Sequence, residues 1–551
     1  MRIKLCWALL VGAGLFARQP EYARHAMVVV QEPLAADVGL RVLQSGGNAI
    51  DAAVAIGFAL AVTYPYAGNI GGGGFLLARF SDGRATFIDF REKAPLAATR
   101  NMYLDSKGNV SEDSLVGWRA AGVPGTVRGL ELAHQKYGRK PWAELLDPAI
   151  QLASEGYPVS YSMDTSLYGE SAAKLLARFP ESKRIFLSAH YGEKLVQPEL
   201  ASTLKRIRDR GSSDFYEGET AQKLAAAMAS NGGLITLADL KKYQAEESEA
   251  LHGHYHGDEI VTAPPPSAGG VGFLQMLGML EGSGYEKTGA GSAASIHYMA
   301  ETMRRSYADR SEYFGDPDFY KVPIGKLLDP KYIASRRNSI DALHATPSDR
   351  IRQGNISVRE GTETTHFNIL DNEGNAVAVT YTLNNGYGSG VTVPGLGFLL
   401  NDEMDDFASK PGAENLFHLI QGESNAIQPG KRPVSSMTPT IVVRDGRFYL
   451  MLGAPGGSRI INGVLQVLLN VVDFHMNVQD AVDWPRFHHQ WMPDVLYVEQ
   501  GISPDTLSIL RGMGHTVSPI EAVARVEAIL NEGGWLQGAT DKRGNGKAEG
   551  Y

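Results

Sequence analysis

The chain has 551 residues, 43% of them apolar and 21% charged. That is the balance of an ordinary soluble globular protein, and length alone suggests about three or four domains. A formal net charge of −9 speaks against a nucleic-acid partner, which calls for a basic face.

Taken in order, the chain begins with a basic start, Met1-Arg2-Ile3-Lys4, and an apolar run from Leu5 to Ala17. The run is too short to span a bilayer as a stable helix and reads as a secretory signal; a buried N-terminal helix is the other reading, since the small-residue cleavage pattern near Ala17 is poor. Cys6 is the one cysteine and lies inside this run, so disulfide and thiol chemistry are not expected of the mature chain. Met27–Val30 reads as a short strand. Helical patterns follow at about Leu34–Leu43 and Ala49–Val62, separated by the Gly46-Gly47-Asn48 stop and start.

Gly71-Gly72-Gly73-Gly74 precedes a strand, Phe75–Phe80. No Lys-Ser or Lys-Thr follows at the spacing of a phosphate loop, so close backbone packing is the better reading. After the Ser81-Asp82-Gly83 turn a second strand ends in Asp89-Phe90-Arg91-Glu92-Lys93. From Gly125 to Ile340 the pattern is mostly helical, for example Trp142–Glu155 and Ala293–Arg310. Asp341 to Glu363 is polar and interrupted by Pro and Gly, and reads as a mobile segment.

Between Phe367 and Leu383 apolar residues alternate with small or polar ones, the period of half-buried strands. Asp371-Asn372-Glu373-Gly374 separates the two runs. A three-residue loop, Asn372–Gly374, places Thr364 opposite Thr382; a loop one residue different would spoil that register. Two adjacent threonine hydroxyls can hydrogen-bond, one orienting the other for attack. A threonine inside a strand is otherwise simply a β-branched residue that suits the pleat.

Beyond this hairpin, the carboxylates of Asn401-Asp402-Glu403-Met404-Asp405-Asp406 lack the ligand spacing of a calcium loop. Thr438–Val443 and Phe448–Leu452 form a second hairpin around Asp445-Gly446. Gly456 and Gly457 open a helix from about Arg459 to Val472, and backbone N–H groups at such a start form a ready oxyanion hole. His488-His489 looks like a metal pair, but neighbours on a strand point to opposite faces, so structural histidines are the preferred reading.

Thr364-Thr365-His366-Phe367, the Gly374 turn, Ala376–Asn384, Asn401–Phe407, Arg432–Met437 and Gly453–Arg459 together resemble the gamma-glutamyltransferase (gamma-glutamyltranspeptidase) family, over a span from about Ala26 to the C-terminus. The resemblance implies an α+β fold, the four-layer αββα sandwich of N-terminal nucleophile hydrolases, built from two fragments of one precursor. Cleavage between Glu363 and Thr364 would divide a signal peptide (1–17), a large fragment (18–363) and a small catalytic fragment (364–551). Thr364 is then the nucleophile, Thr382 its partner, and Gly456 and Gly457 the oxyanion donors. Arg91, Ser435 and Ser436 are implied to hold the substrate's α-carboxylate, and Asn384, Glu403 and Asp406 its α-ammonium. Lys410–Gly430 matches the family's lid, with Phe417 where many bacterial members have tyrosine. Asp541-Lys542-Arg543 departs from the common Asp-Pro-Arg.

The implied activity is γ-glutamyl transfer and hydrolysis, with glutathione, related γ-glutamyl compounds and amino-acid or peptide acceptors as small-molecule partners. The implied location is periplasmic or secreted. No metal or other cofactor is expected, because nucleophile, base and oxyanion donors are all organic groups. Relatives on the same scaffold that release poly-γ-glutamate or deacylate cephalosporins leave the donor open, and an unprocessed secreted binding protein is a reading from another class.

Overall fold

The computed structural model describes residues 18–351, 363–409 and 422–551. The expected signal, Met1–Ala17, the stretch 352–362, and the lid residues 410–421 with Phe417 lie outside the described residues.

The alternation around Asp371 produces the hairpin it predicts. Strand Glu363–Leu370 pairs antiparallel with Ala376–Asn384, and Thr364 stands opposite Thr382. The loop sets this register. The Asp371 carboxylate accepts from the backbone N–H of Glu373 and Asn375 at 3.0 and 2.9 Å, and Gly374 adopts a φ of +87° that a side chain would resist. The same carboxylate accepts from Ala49 N at 3.0 Å, so the turn that fixes the strands also seats a helix, Ala49–Thr63. That helix is almost wholly apolar and every residue of it is buried, as a helix without a polar face must be.

Two seven-stranded antiparallel sheets face each other. One runs, from edge to edge, Lys547–Gly550, Met27–Val30, Glu363–Leu370, Ala376–Asn384, Gly73–Arg79, Ala85–Asp89, Glu246–Ser248. The other runs Glu21–Ala23, Trp535–Ala539, Glu527–Glu532, Arg447–Gly453, Thr440–Arg444, Asp258–Thr262, Leu251–Tyr255. Asn368 Nδ2 donates to Glu527 O across the gap at 2.8 Å. Helices Pro33–Gln44 and Ala49–Thr63 cover the outer face of the first sheet, and Gly269–Leu280 and Ile460–Val472 that of the second. This is the αββα sandwich, a single layered unit rather than three or four domains, with one apolar core under each helical layer. Among the described residues no helix is long and apolar enough to cross a membrane.

Two expectations need correction. Strands Glu246–Ser248, Leu251–Tyr255 and Asp258–Thr262 interrupt the stretch read as mostly helical. The middle one is an edge strand whose side chains are alternately half-buried and exposed, so its apolar signal is weak. Residues 341–351, read as part of a mobile segment, are tied to the body. His297 Nε2 donates to Asp341 O (2.7 Å), Ala345 N to Met513 O (2.7 Å), Thr346 N to Glu301 Oε1 (3.1 Å) and Ser348 N to Asp494 Oδ2 (2.8 Å).

The glycine run is a packing device. A Cβ on Gly72 would lie 2.1 Å from Thr382 O, and one on Gly74 2.4 Å from Thr380 O. Removing those side chains lets the strand from Gly73 lie directly beside the one that carries Thr382.

Candidate active site

The sheet places the predicted residues in a row. Thr364 pairs with Thr382, and Thr382 with Gly73. Reciprocal backbone bonds between Gly74 and Phe90 carry the register one step further, which sets Arg91 opposite Gly73. Three strand spacings separate the ends of the row, roughly 14 Å between backbones. Thr364 is 4% exposed, and its hydroxyl makes a long contact of 3.4 Å to Thr382 Oγ1. Thr382 Oγ1 also accepts from Asn384 N at 2.8 Å. The pairing shifts by one residue between Glu363 and Thr364, so a bulge interrupts the ladder at the bond expected to be cut.

From Asn384 the path continues to the acidic stretch. Asn384 Nδ2 donates to Asp402 O at 3.0 Å, and Asn401 Oδ1 accepts from Glu403 N at 3.0 Å. Arg91 is 1% exposed and its fork is divided: Nη1 pairs with Glu403 and Nη2 with Asp406. Its Nη2 also donates to Val434 O (3.2 Å) and its Nε to Pro433 O (3.4 Å), which brings Ser435 and Ser436 to the same place. Ser436 Oγ accepts from Arg310 Nη2 at 3.0 Å, and Ser435 Oγ from Met437 N at 3.1 Å. The groups predicted to bind the two charges of a zwitterion therefore neutralise one another here. Burial raises the Glu403 carboxyl well above the usual carboxylate range, against the lowering effect of Arg91.

Gly456 and Gly457 follow strand Arg447–Gly453 from the facing sheet. Gly453 lies against His366, where a Cβ would come within 2.2 Å of Cε1, so this turn starts two residues from Thr364 along the neighbouring sheet. Gly456 and Gly457 take φ of +140° and +56°, and a short 3-10 turn, Gly457–Arg459, leads into Ile460–Val472. Among the described residues their two amide nitrogens have no hydrogen-bond acceptor, which leaves both N–H groups able to donate to a ligand.

His488 and His489 are structural. Both ring nitrogens of His488 are engaged, by Asn462 and Gln490 at 2.8 Å each, and those of His489 by Trp491 N and by Arg304 with Asp494. In the C-terminal motif Asp541 pairs with Arg486 and Arg543 with Glu499, while Lys542 donates its backbone N–H to Asp483 at 3.1 Å. Sequence reasoning missed Glu92, which is fully buried beside Arg91; within Asp-Phe-Arg-Glu-Lys it looks like one more solvated charge. It also missed Asn69, whose Nδ2 holds Thr382 O at 2.9 Å; nothing in the local pattern marks it.

Two facing antiparallel sheets between helical layers, with a threonine at the head of a central strand, define the class of N-terminal nucleophile hydrolases. The solved cephalosporin acylase from Bacillus halodurans superposes with a TM-score of 0.85 at 26% identity, covering 99% of each chain. The family described as Gamma-glutamyltranspeptidase matches residues 35–551. A glutathione hydrolase proenzyme of Pseudomonas sp. (strain A14) is 49% identical over 520 residues, 93% of this chain and 90% of the relative. One of Escherichia coli (strain K12) is 47% identical over 532 residues, 95% and 91% of the two chains. The chain belongs to the gamma-glutamyltranspeptidase family.

Proposed function

We propose that the chain cuts itself before Thr364 and then, through Thr364, moves γ-glutamyl groups from glutathione and related compounds to water or to amino-acid and peptide acceptors. The observation that carries this reading is the row across the first sheet, with the hydroxyl pair at one end and the buried Arg91–Glu403–Asp406 cluster at the other. An extended γ-glutamyl group has its reactive carbonyl at one end and its α-carboxylate and α-ammonium at the other, so it suits such a row. Arg91 offers the planar fork that a carboxylate takes, and Glu403 and Asp406 accept the ammonium.

In self-cleavage the Thr364 hydroxyl attacks the carbonyl of Glu363. The C–N bond breaks as the acyl group passes to oxygen, which frees the Thr364 amine, and water then hydrolyses the ester to free the Thr364 hydroxyl and the Glu363 carboxylate. That amine has a reference pKa of about 7.7–8.0, suited to take the hydroxyl proton when Thr364 attacks a γ-glutamyl amide. Gly456 and Gly457 N–H stabilise the tetrahedral oxyanion, and the amine gives its proton to the leaving group. The resulting γ-glutamyl ester passes to water or to an amine. The products of processing are residues 18–363 and 364–551 after loss of a signal at 1–17, which directs the chain to the periplasm or outside the cell; the proenzyme names of the relatives support this division.

The acylase likeness favours a second reading, the same nucleophile with another acyl group. An acyl group without an ammonium would leave Glu403 and Asp406 with no ligand cation to meet. Purified, self-cleaved protein is therefore expected to release aniline from a γ-glutamyl anilide, faster when glycylglycine is added, and to leave the glutaryl anilide, which lacks the ammonium, untouched. Preference for the glutaryl compound would establish the acylase reading instead.

A further inference from the structure

Three carboxylates, Glu92, Glu403 and Asp406, surround the single guanidinium of Arg91. Asp406 and one oxygen of Glu403 take its two nitrogens, while Glu92 Oε2 stands 3.8 Å from Nη1. Among the described residues both oxygens of Glu92, and Oε2 of Glu403, have no hydrogen-bond partner. Both side chains are buried, at 0% and 1% exposure. The neighbouring acids have partners of their own: Asp89 has Arg432, Asp402 has Asn385, and Asp405 has Ser114. Tyr216 and Tyr243, close enough for the charge of Glu92 to act on them, are kept neutral mainly by burial. Full ionisation would leave this buried cluster with two negative charges beyond what Arg91 cancels, a costly state. Two like groups that share such a site titrate as a pair, one keeping its proton.

We propose that Glu92 and Glu403 hold one proton between them in the empty pocket, and that the α-ammonium of an arriving γ-glutamyl donor replaces it. The proton leaves to solvent, the ligand's ammonium takes its place among the carboxylates, and the ligand's α-carboxylate is met by Arg91 and the hydroxyls of Ser435 and Ser436. This rests on the γ-glutamyl reading above. Position supports it: Glu92 is held against Gly73, where a Cβ would lie 2.8 Å from its Cδ, so the shared proton sits in the row between Thr382 and Arg91. Burial pushes the Glu92 carboxyl up to about 8, with Arg91 pulling the other way, so the free pair is still protonated at neutral pH. Binding that expels a proton strengthens as pH rises and levels off once the free pair has ionised.

The test is calorimetry of L-glutamate binding to the self-cleaved protein near neutral pH, in phosphate and in Tris, whose protonation enthalpies differ. The expected result is about one proton released per glutamate, with affinity rising about tenfold per pH unit below the pair's pKa. Glu92→Gln is expected to bind glutamate with little proton release and a flat pH dependence. If Glu92→Gln does not accumulate as folded protein, Glu403→Gln removes the other half of the pair; it also loses an acceptor for the ammonium, so weaker glutamate binding is expected, with little proton release in the binding that remains. Equal binding enthalpies in the two buffers for the wild type would overturn the shared proton while leaving the γ-glutamyl reading intact. Undiminished release in the variant would also overturn it, placing the source elsewhere, such as the Thr364 amine. No glutamate binding at all would remove both.

Discussion

Arg91 shows why residue type matters more than charge at this site. Its two terminal nitrogens reach separate carboxylates, Glu403 and Asp406, while Nε and Nη2 also hold the carbonyls of Pro433 and Val434. A lysine supplies the charge as a point and cannot divide it this way. Arg91→Lys is accordingly expected to self-cleave but to bind γ-glutamyl donors weakly, read as a higher KM for a γ-glutamyl anilide. Asp406→Ala removes an acceptor from a buried cation and is expected to cost about 2–5 kcal/mol of donor binding. Wild-type kcat/KM in both variants would mean that the pocket lies elsewhere. Arg91, Glu403 and Asp406 could be singled out because each sits in an ordered motif, and the fold does bring the three side chains together. Glu92 was not, since adjacent charges on a chain carry no sign of which one the fold will bury.

Among the elements, the hairpin that carries Thr364 was the most legible because two independent signals agree on it: the period of two in both strands and the Asp371–Gly374 loop that fixes their offset. Edge strand Leu251–Tyr255 was hidden because its exposed positions dilute the alternation. Residues 341–351 looked loose because their partners, such as Glu301 and Asp494, are distant in sequence, and composition carries no trace of such contacts. The glycine run yields a prediction at this scale. In Gly72→Ala the new methyl meets the Thr382 carbonyl, so the strand beside Thr382 must shift. A loss of about 1–3 kcal/mol, as overpacking typically costs, together with slower self-cleavage, is the expected outcome in a melt and a timed denaturing gel. An unchanged melt with normal processing would show that the strands have slack the geometry denies.

At the scale of the molecule, the two halves are interleaved rather than joined end to end. The first sheet alternates strands from before Glu363, such as Met27–Val30 and Gly73–Arg79, with Glu363–Leu370, Ala376–Asn384 and Lys547–Gly550. A cut before Thr364 would therefore leave two fragments that share both sheets and cores. The buried histidines are expected to make this body sensitive to acid. Burial pushes His488 down to about 3, so between the unfolded value near 6.5 and that point the unfolded chain binds the proton and the folded chain does not. Stability from this residue is complete above about pH 6.5 and falls by about 1.4 kcal/mol per pH unit below it. His488→Asn, whatever its stability at neutral pH, is expected to show a shallower acid loss than the wild type in urea melts from about pH 6 to 4. Parallel pH profiles would assign the acid sensitivity to other groups.

The central claim is that Thr364 becomes both chain end and nucleophile, and the most direct measurement is a denaturing gel of purified protein with N-terminal sequencing of the smaller band. The wild type is expected to give two bands, the smaller beginning at Thr364 and running to Tyr551, while Thr364→Ala stays a single inactive chain. A small fragment beginning at any other residue, or a Thr364→Ala variant that still divides and turns over γ-glutamyl anilide, would contradict the account.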